Sequence, residues 1–392
     1  MAMALVTGSC SHVGSHVVND LLQLEDLYVR AAIRPGSPQG TREALVQSLE
    51  PWEGDESRLE FCELEFGGPD EHEQLSAALK GVEFIIVTHV TDSYELGPGK
   101  HRKPLDQIKA SMMHLAEMRR LLAMCESRQV SRMILVSSTA TMDHARPWSQ
   151  QVEEPLTEKD WNSDLKAGDR ARLAKELYMP AYSAARMAAE QAALEFGKSH
   201  STNLEVATIV PGVVVGPIRY PRLPTAHSML AKMLQGHSIW AFNVAYPIAD
   251  VRDVSHCILL AMFSPHAQSE RFLLVGRRAV PMKEHFKVAA ETLAPLVRDP
   301  KLAARLGSSV TPKTMPKLAM LVMGMVNPIY GLAYDHHEKH PTFAAYNFDQ
   351  SKAARVLGLD LTTEAETLRD TALSVADFIE IEVNPALAGV QL

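Results

Sequence analysis

The stretch VTGSCSHVGSHVV, residues 6–18, decides the fold. An apolar run, ALVTG (4–8), enters it as a strand, and a helical pattern from Ser15 to Leu24 leaves it. A glycine-rich turn between strand and helix presents backbone N–H groups and a helix N-terminus to a pyrophosphate. Glycine is needed where the chain turns tightly or where a side chain would block the phosphates. Gly8, Ser11, His12, Val13 and Gly14 are therefore the expected dinucleotide contacts of this turn. Ser11 is small, and its hydroxyl either donates to a phosphate or crowds it.

Outward from the turn, short β-rich runs alternate with helical segments, which predicts βαβ units and a parallel sheet. VRAAIR (29–34), RLEFCEL (58–64), VEFIIVTHV (82–90), RMILVSST (132–139) and LEVATIVPGVVVG (204–216) read as strands two to six. Helical patterns cover 105–128, a segment from Tyr182, and 363–382. The polar stretch 143–170 reads as a loop over the sheet edge. The expected fold is α/β: a Rossmann-type doubly wound parallel sheet with a smaller C-terminal substrate-binding lobe. Residues 1–216 form the dinucleotide-binding core. Residues 217–392 are mainly the lobe, with some segments returning to the core.

The chain has 392 residues, 46% hydrophobic and 22% charged, enough for a substantial core. A net charge of −8 argues against a nucleic-acid or anionic-membrane surface. Cys10, Cys62, Cys125 and Cys257 show no paired spacing and read as reduced thiols of a cytoplasmic protein. The N-terminus carries no signal-peptide pattern. Leu318 to Tyr334 is uncharged but interrupted by Gly324, Asn327-Pro328 and Gly331, so it reads as a buried helix and turn, with membrane-surface contact as the alternative and no transmembrane segment expected.

The second strand ends in AAIRPGSPQGTR (31–42). Arg34 lies about 20 residues after Gly14, where a carboxylate would select NAD and an arginine suits a 2′-phosphate. With no carboxylate competing nearby, and with Ser37 and Arg42 to assist, NADP(H) is favoured over NAD(H).

MPAYSAARMAAE (179–190) sets Tyr182 and Arg186 four residues apart, on one face of a helix. A tyrosine with a pKa near 10 exchanges protons at neutral pH when a fixed cation stabilises its phenolate. Hydroxyls in VSSTAT (136–141) are candidates to hold a substrate oxygen.

These segments together resemble the dihydroflavonol reductase/aldehyde reductase branch of the extended short-chain dehydrogenases/reductases, in the NAD-dependent epimerase/dehydratase superfamily. They are also similar to the 3β-hydroxysteroid dehydrogenases. EEPLTEKDWN (153–162), PGVVVGP (211–217), YPIADVRDV (246–254) and SERFLLVG (269–276) follow in the order the resemblance requires. The resemblance implies that Tyr182 protonates a carbonyl oxygen, that Thr139 (or its neighbour Ser138) hydrogen-bonds the same oxygen, and that Arg186 supplies the cation. It implies that Pro211 to Val214 line the nicotinamide side. Glu63 and Leu64 stand where an Asp-Leu pair contacts the adenine, and Thr88 and His89 end the strand beside the nicotinamide. Family members occur as monomers and as homodimers, and both states stay open.

Three departures surround the expected cofactor. Arg186 replaces the lysine of YxxxK, Ser11 replaces a phosphate-loop glycine, and His89 stands in VTHV where relatives carry His-x-Ala. Arginine keeps the charge but is longer, planar and differently hydrated. The reading is an NADP(H)-dependent reductase of a lipophilic ketone or aldehyde. The alternatives are a redox-neutral isomerase, cyclase or dehydratase on the same scaffold, and a non-catalytic nucleotide-binding protein. The methionine-rich segment 315–325, Phe242 and Tyr246 fit a lipophilic substrate. HHEKH (336–340) lacks metal-site spacing, so no metal is expected. In DVRDV (250–254), Asp253 is the expected helix N-cap.

Overall fold

Among the described residues, seven parallel strands form the central sheet, in the order β10-β6-β5-β4-β1-β2-β3. The computed structural model describes residues 2–50, 56–88, 104–143, 145, 153–162, 181–199, 202–236, 240–241, 245–307, 313–314 and 347–383. In chain order the N-terminal elements are β1 (Ala2–Thr7), α1 (His12–Leu22), β2 (Leu27–Ile33), α2 (Thr41–Gln47), β3 (Leu59–Glu63) and α3 (Glu71–Ala78). β4 (Phe84–Val87), α4 (Pro104–Ser127), β5 (Arg132–Val136), α5 (Ala181–Lys198) and β6 (Glu205–Pro211) follow. The chain then forms β7 (Val213–Val215), α6 (Ser228–Leu234), β8 (Trp240–Ala241), β9 (Ala245–Asp250), α7 (Val251–Phe263) and β10 (Arg271–Leu274). Last come β11 (Ala279–Pro281), α8 (Met282–Leu293), α9 (Pro300–Gly307), β12 (Lys313–Thr314), α10 (Ser351–Leu357) and α11 (Glu364–Phe378).

The strand order reverses between β1 and β4, which are direct neighbours. Such a reversal opens a crevice at the carboxyl ends of the strands, where ligands of open α/β sheets bind. The strands read as apolar runs because both faces are covered. On one face, Val17, Val18 and Leu21 of α1 pack with Val254, Ile258 and Ala261 of α7 over Val6, Ile134 and Ile209. On the other, Met118 and Leu121 of α4 meet Ala189 and Ala193 of α5 over Leu5, Ile85 and Val206. The small alanines of α5 let that helix lie close to the sheet. Truncating a fully buried anchor such as Leu5 to Ala costs about 2–5 kcal/mol.

A separate cluster joins Leu230 and Leu234 of α6, Phe286 and Leu293 of α8, and Leu373 and Ala376 of α11. β7, β9 and β11 form a small three-stranded sheet beside it.

Several boundaries differ from the sequence reading. α1 begins at His12, three residues before the predicted start, because Ser11 caps it. The apolar run 204–216 divides at Gly212, with β6 in the main sheet and β7 in the small one. A Cβ at Gly212 would lie 2.4 Å from the Pro247 carbonyl oxygen, so only glycine allows this crossing. The cap of α7 is Asp250, whose side chain accepts from the Arg252 N–H at 2.8 Å. Asp253 sits inside the helix and accepts from the N–H and hydroxyl of Thr362. Tyr246 lies on β9. β10 was not predicted as a strand, and it returns from beyond residue 217 to pair with β6. The segment Leu318 to Tyr334, HHEKH, Phe242 and His89 lie outside the described residues.

Candidate active site

Gly8 leaves β1 with φ +63°, a left-handed conformation open to glycine. The Ser11 N–H donates to the Gly8 carbonyl at 2.8 Å, closing the turn. The Ser11 hydroxyl accepts from the Gly14 N–H at 3.0 Å, which makes it the N-cap of α1. Serine at this position therefore has a local structural use. A Cβ on Gly14 would stand 2.1 Å from the Gly8 oxygen, so the turn and the helix approach as closely as a dinucleotide cradle demands.

His12 opens α1, and neither ring nitrogen has a hydrogen-bond partner. Its ring meets those of His227 at 4.9 Å and His16 at 5.8 Å, both edge to face. Burial, reinforced by His227 and His16, holds His12 well below the ordinary imidazole pKa. Burial lowers His16 to about 4.

At the end of β2, the Arg34 guanidinium is engaged by Glu65, 31 residues further along the chain. This corrects the expectation that no carboxylate competes there, because the neighbouring ends of β2 and β3 bring the two together. The Ser37 hydroxyl donates to the Arg34 carbonyl at 2.6 Å, and the Arg42 guanidinium lies over the Phe61 ring. Neither side chain reaches beside the Arg34 guanidinium in these contacts. Glu63 is exposed at the end of β3, while Leu64 is buried and bonded through its N–H to the Ile33 carbonyl at 2.9 Å.

A cleft of about 440 Å³ opens at the carboxyl ends of the strands. Val13 and Thr88 line its side next to the Gly8–Gly14 turn, and Thr88 donates to the Thr7 carbonyl at 2.5 Å. Ser138, Thr139 and Arg186 line a second wall, and Pro211 to Val214 a third. Val136, Ser137, Ala140, Asp143, Tyr246, Pro247 and Phe348 complete it. Burial pushes the Tyr246 phenol up to about 12, so it stays protonated.

The chain leaves β5 through a tight 3₁₀ turn, Thr139–Thr141. The Ser138 hydroxyl caps this turn by accepting from the Ala140 N–H at 3.2 Å. Thr139 is buried beside the cleft. Arg186 donates through Nη1 to the Val136 carbonyl at 3.0 Å, which anchors it at the hydroxyl end of β5. Tyr182 lies in the first turn of α5, one helical turn before Arg186, and its side chain lies outside the described positions. Thus the described structure brings Val13, Thr88, Thr139, Arg186, Pro211 and Val214 to one cleft. It leaves Arg34, Glu63 and Leu64 at the ends of β2 and β3. Among the described residues, no group of His, Cys, Asp or Glu could hold a metal ion, and no helix is long and apolar enough to cross a membrane.

Residues 4–276 match the NAD dependent epimerase/dehydratase family, and the chain belongs to that family. Within it, the chain is of the extended short-chain dehydrogenase/reductase type. It is 26% identical to cinnamoyl-CoA reductase 1 of Oryza sativa subsp. japonica over 276 residues, covering 70% of this chain and 71% of the relative. Among solved structures, yeast methylglyoxal/isovaleraldehyde reductase complexed with NADPH superposes with a TM-score of 0.66 at 17% identity, covering 96% and 98% of the two chains. Vestitone reductase from alfalfa (Medicago sativa) gives 0.61 at 16% identity, with the same coverage. These structural likenesses carry the fold.

Proposed function

We propose that the chain is an NADP(H)-dependent reductase of a ketone or aldehyde on a lipophilic small molecule. The observation that carries this reading is the convergence of Thr139, Arg186 and Pro211 to Val214 on one cleft beside the phosphate turn. The fit to a dinucleotide rests on the Gly8–Gly14 cradle and the N-terminus of α1. Gly8, Ser11, His12, Val13 and Gly14 would hold its pyrophosphate, and Arg34 its 2′-phosphate. Glu63 and Leu64 would hold the adenine, and Thr88, His89, Pro211 and Val214 would flank the nicotinamide. A bound NADPH supplies hydride chemistry to this site.

The remaining work belongs to the chain. Thr139, with Ser138 held in the turn as its cap, fixes the carbonyl oxygen. Tyr182 delivers the proton to that oxygen, and the Arg186 charge lowers the cost of the phenolate left behind. The apolar surface of Val213, Val214, Pro247 and Phe348 favours a lipophilic substrate and excludes water. The region 217–392 serves mainly in substrate recognition, and the protein acts in the cytoplasm.

The test is a panel of lipophilic ketones and aldehydes assayed for NADPH oxidation and alcohol formation. Carbonyl-dependent consumption of NADPH, lost in Y182F, is the expected result. Substrate conversion without NADPH consumption would instead assign the site to redox-neutral acid–base chemistry.

A further inference from the structure

The helix face that carries Tyr182 and Arg186 continues to Glu190, one further turn along α5. Glu190 is fully buried, and three donors from three different strands or their ends converge on its carboxylate. The Ser137 hydroxyl, just past β5, donates to Oε2 at 2.6 Å. The Thr208 hydroxyl of β6 donates to Oε1 at 3.0 Å, and Nε of Arg271, the first residue of β10, donates to the same oxygen at 2.8 Å.

Arg271 is itself 5% exposed and bonded through every nitrogen. Nη1 donates to the carbonyls of Glu158 and Asp160 at 2.6 and 3.0 Å, and Nη2 to the Thr141 hydroxyl at 3.1 Å. The guanidinium stacks 3.6 Å from the centre of the Trp161 ring. A buried carboxylate stripped of a partner is costly and seeks another cation. The nearest in sequence register is Arg186, since residues four apart on a helix form ion pairs. Arg186 instead addresses the Val136 carbonyl, next in sequence to the Ser137 bonded by Glu190.

We propose that Glu190 and Arg271 form a buried positioning pair. By saturating Glu190, Arg271 and the two hydroxyls keep Arg186 directed at the end of β5 and into the cleft. The same carboxylate fixes the hydroxyl turn, through Ser137, relative to the helix that bears Tyr182. The inference rests on the reductase reading for its consequence, because Arg186 must face a dinucleotide for its direction to matter. Neither residue is among those lining the cleft, so both act through Arg186 and the turn.

The test is NADPH affinity, read by nicotinamide fluorescence, in wild type, R271M, E190Q and the double variant. R271M leaves an uncompensated carboxylate that captures Arg186, and NADPH binding weakens about tenfold. Removing the charge restores it, so E190Q/R271M binds within about threefold of wild type. A folded double variant that binds no better than R271M overturns the proposal, since loss of packing alone would add rather than cancel.

Should R271M fail to fold, E190A and E190Q decide the matter. E190A lowers kcat at least about tenfold with little change in KM, and E190Q recovers most of it. Wild-type kcat in E190A overturns the proposal. If the wild type binds neither NADPH nor NADH, the reductase reading fails by itself. The positioning pair is then decided by crystal structures of R271M and E190Q: an Arg186–Glu190 pair in R271M supports it, and Arg186 still on Val136 overturns it. If R271M does not fold, displacement of Ser137 in E190A supports it and an unmoved Ser137 overturns it.

Discussion

The Arg34 guanidinium donates two hydrogen bonds to one carboxylate oxygen of Glu65, from Nε at 3.0 Å and Nη2 at 2.8 Å. Both side chains are accessible, at 49% and 29% exposure, so the pair is solvent-screened and readily exchanged for another anion. A 2′-phosphate reaching Arg34 must compete with Glu65. E65Q therefore tightens NADPH binding roughly threefold, the scale of an exposed ion pair, and leaves NADH unchanged. R34A weakens NADPH about tenfold more than NADH. Titration of the three proteins with both nucleotides checks this, and an equal effect on both would remove Arg34 from 2′-phosphate recognition.

Gly14 has no room for a methyl group against the Gly8 carbonyl. In G14A the turn must open, at about 1–3 kcal/mol of overpacking. The expected outcome is a folded protein with a lowered Tm and no measurable dinucleotide affinity. Thermal melts paired with nucleotide titration separate these effects, and wild-type binding in G14A contradicts the cradle.

The buried imidazoles of His12, His16 and His227, packed edge to face, give the fold an acid limit. Each is held below its ordinary pKa by burial, so each is neutral when folded and takes up a proton on unfolding below about 6.5. Stability is complete above that pH and falls as the pH drops toward 4, the value to which His16 is lowered. H12F removes one such group whose nitrogens have no partners. It should raise stability by about 1–2 kcal/mol near pH 4.5, with a smaller gain at pH 8. Melts at several pH values check the slope, and a pH-independent difference would contradict the burial argument.

The glycine turn between β1 and α1 was legible in the sequence because its pattern is local. Strand, glycine, small cap and helix follow one another within a dozen residues. The β5 hydroxyls and the Tyr182–Arg186 spacing were legible for the same reason. What sequence could not show depends on strands meeting side by side. Glu65 reaches Arg34 only through the pairing of β2 with β3. Glu190 and Arg271 are 81 residues apart, and β10 must return to the sheet before they meet. YSAARMAAE contains Glu190 at helical spacing from Arg186, but spacing alone does not reveal a buried carboxylate. The choice between Asp250 and Asp253 as cap failed because residue type marks both. Only the backbone, extended at Asp250, selects the first.

In the proposed reaction hydride reaches a carbonyl carbon while Tyr182 delivers the proton, and isotope transfer separates this from redox-neutral chemistry. NADPH carrying deuterium at both C4 positions of the nicotinamide would be incubated with the protein and a lipophilic ketone identified in the substrate panel. One deuterium is expected on the new carbinol carbon, in a single configuration set by the face of the ketone held against the nicotinamide, with at least about a hundredfold loss of rate in Y182F. An alcohol without deuterium, or full turnover by Y182F, would contradict it.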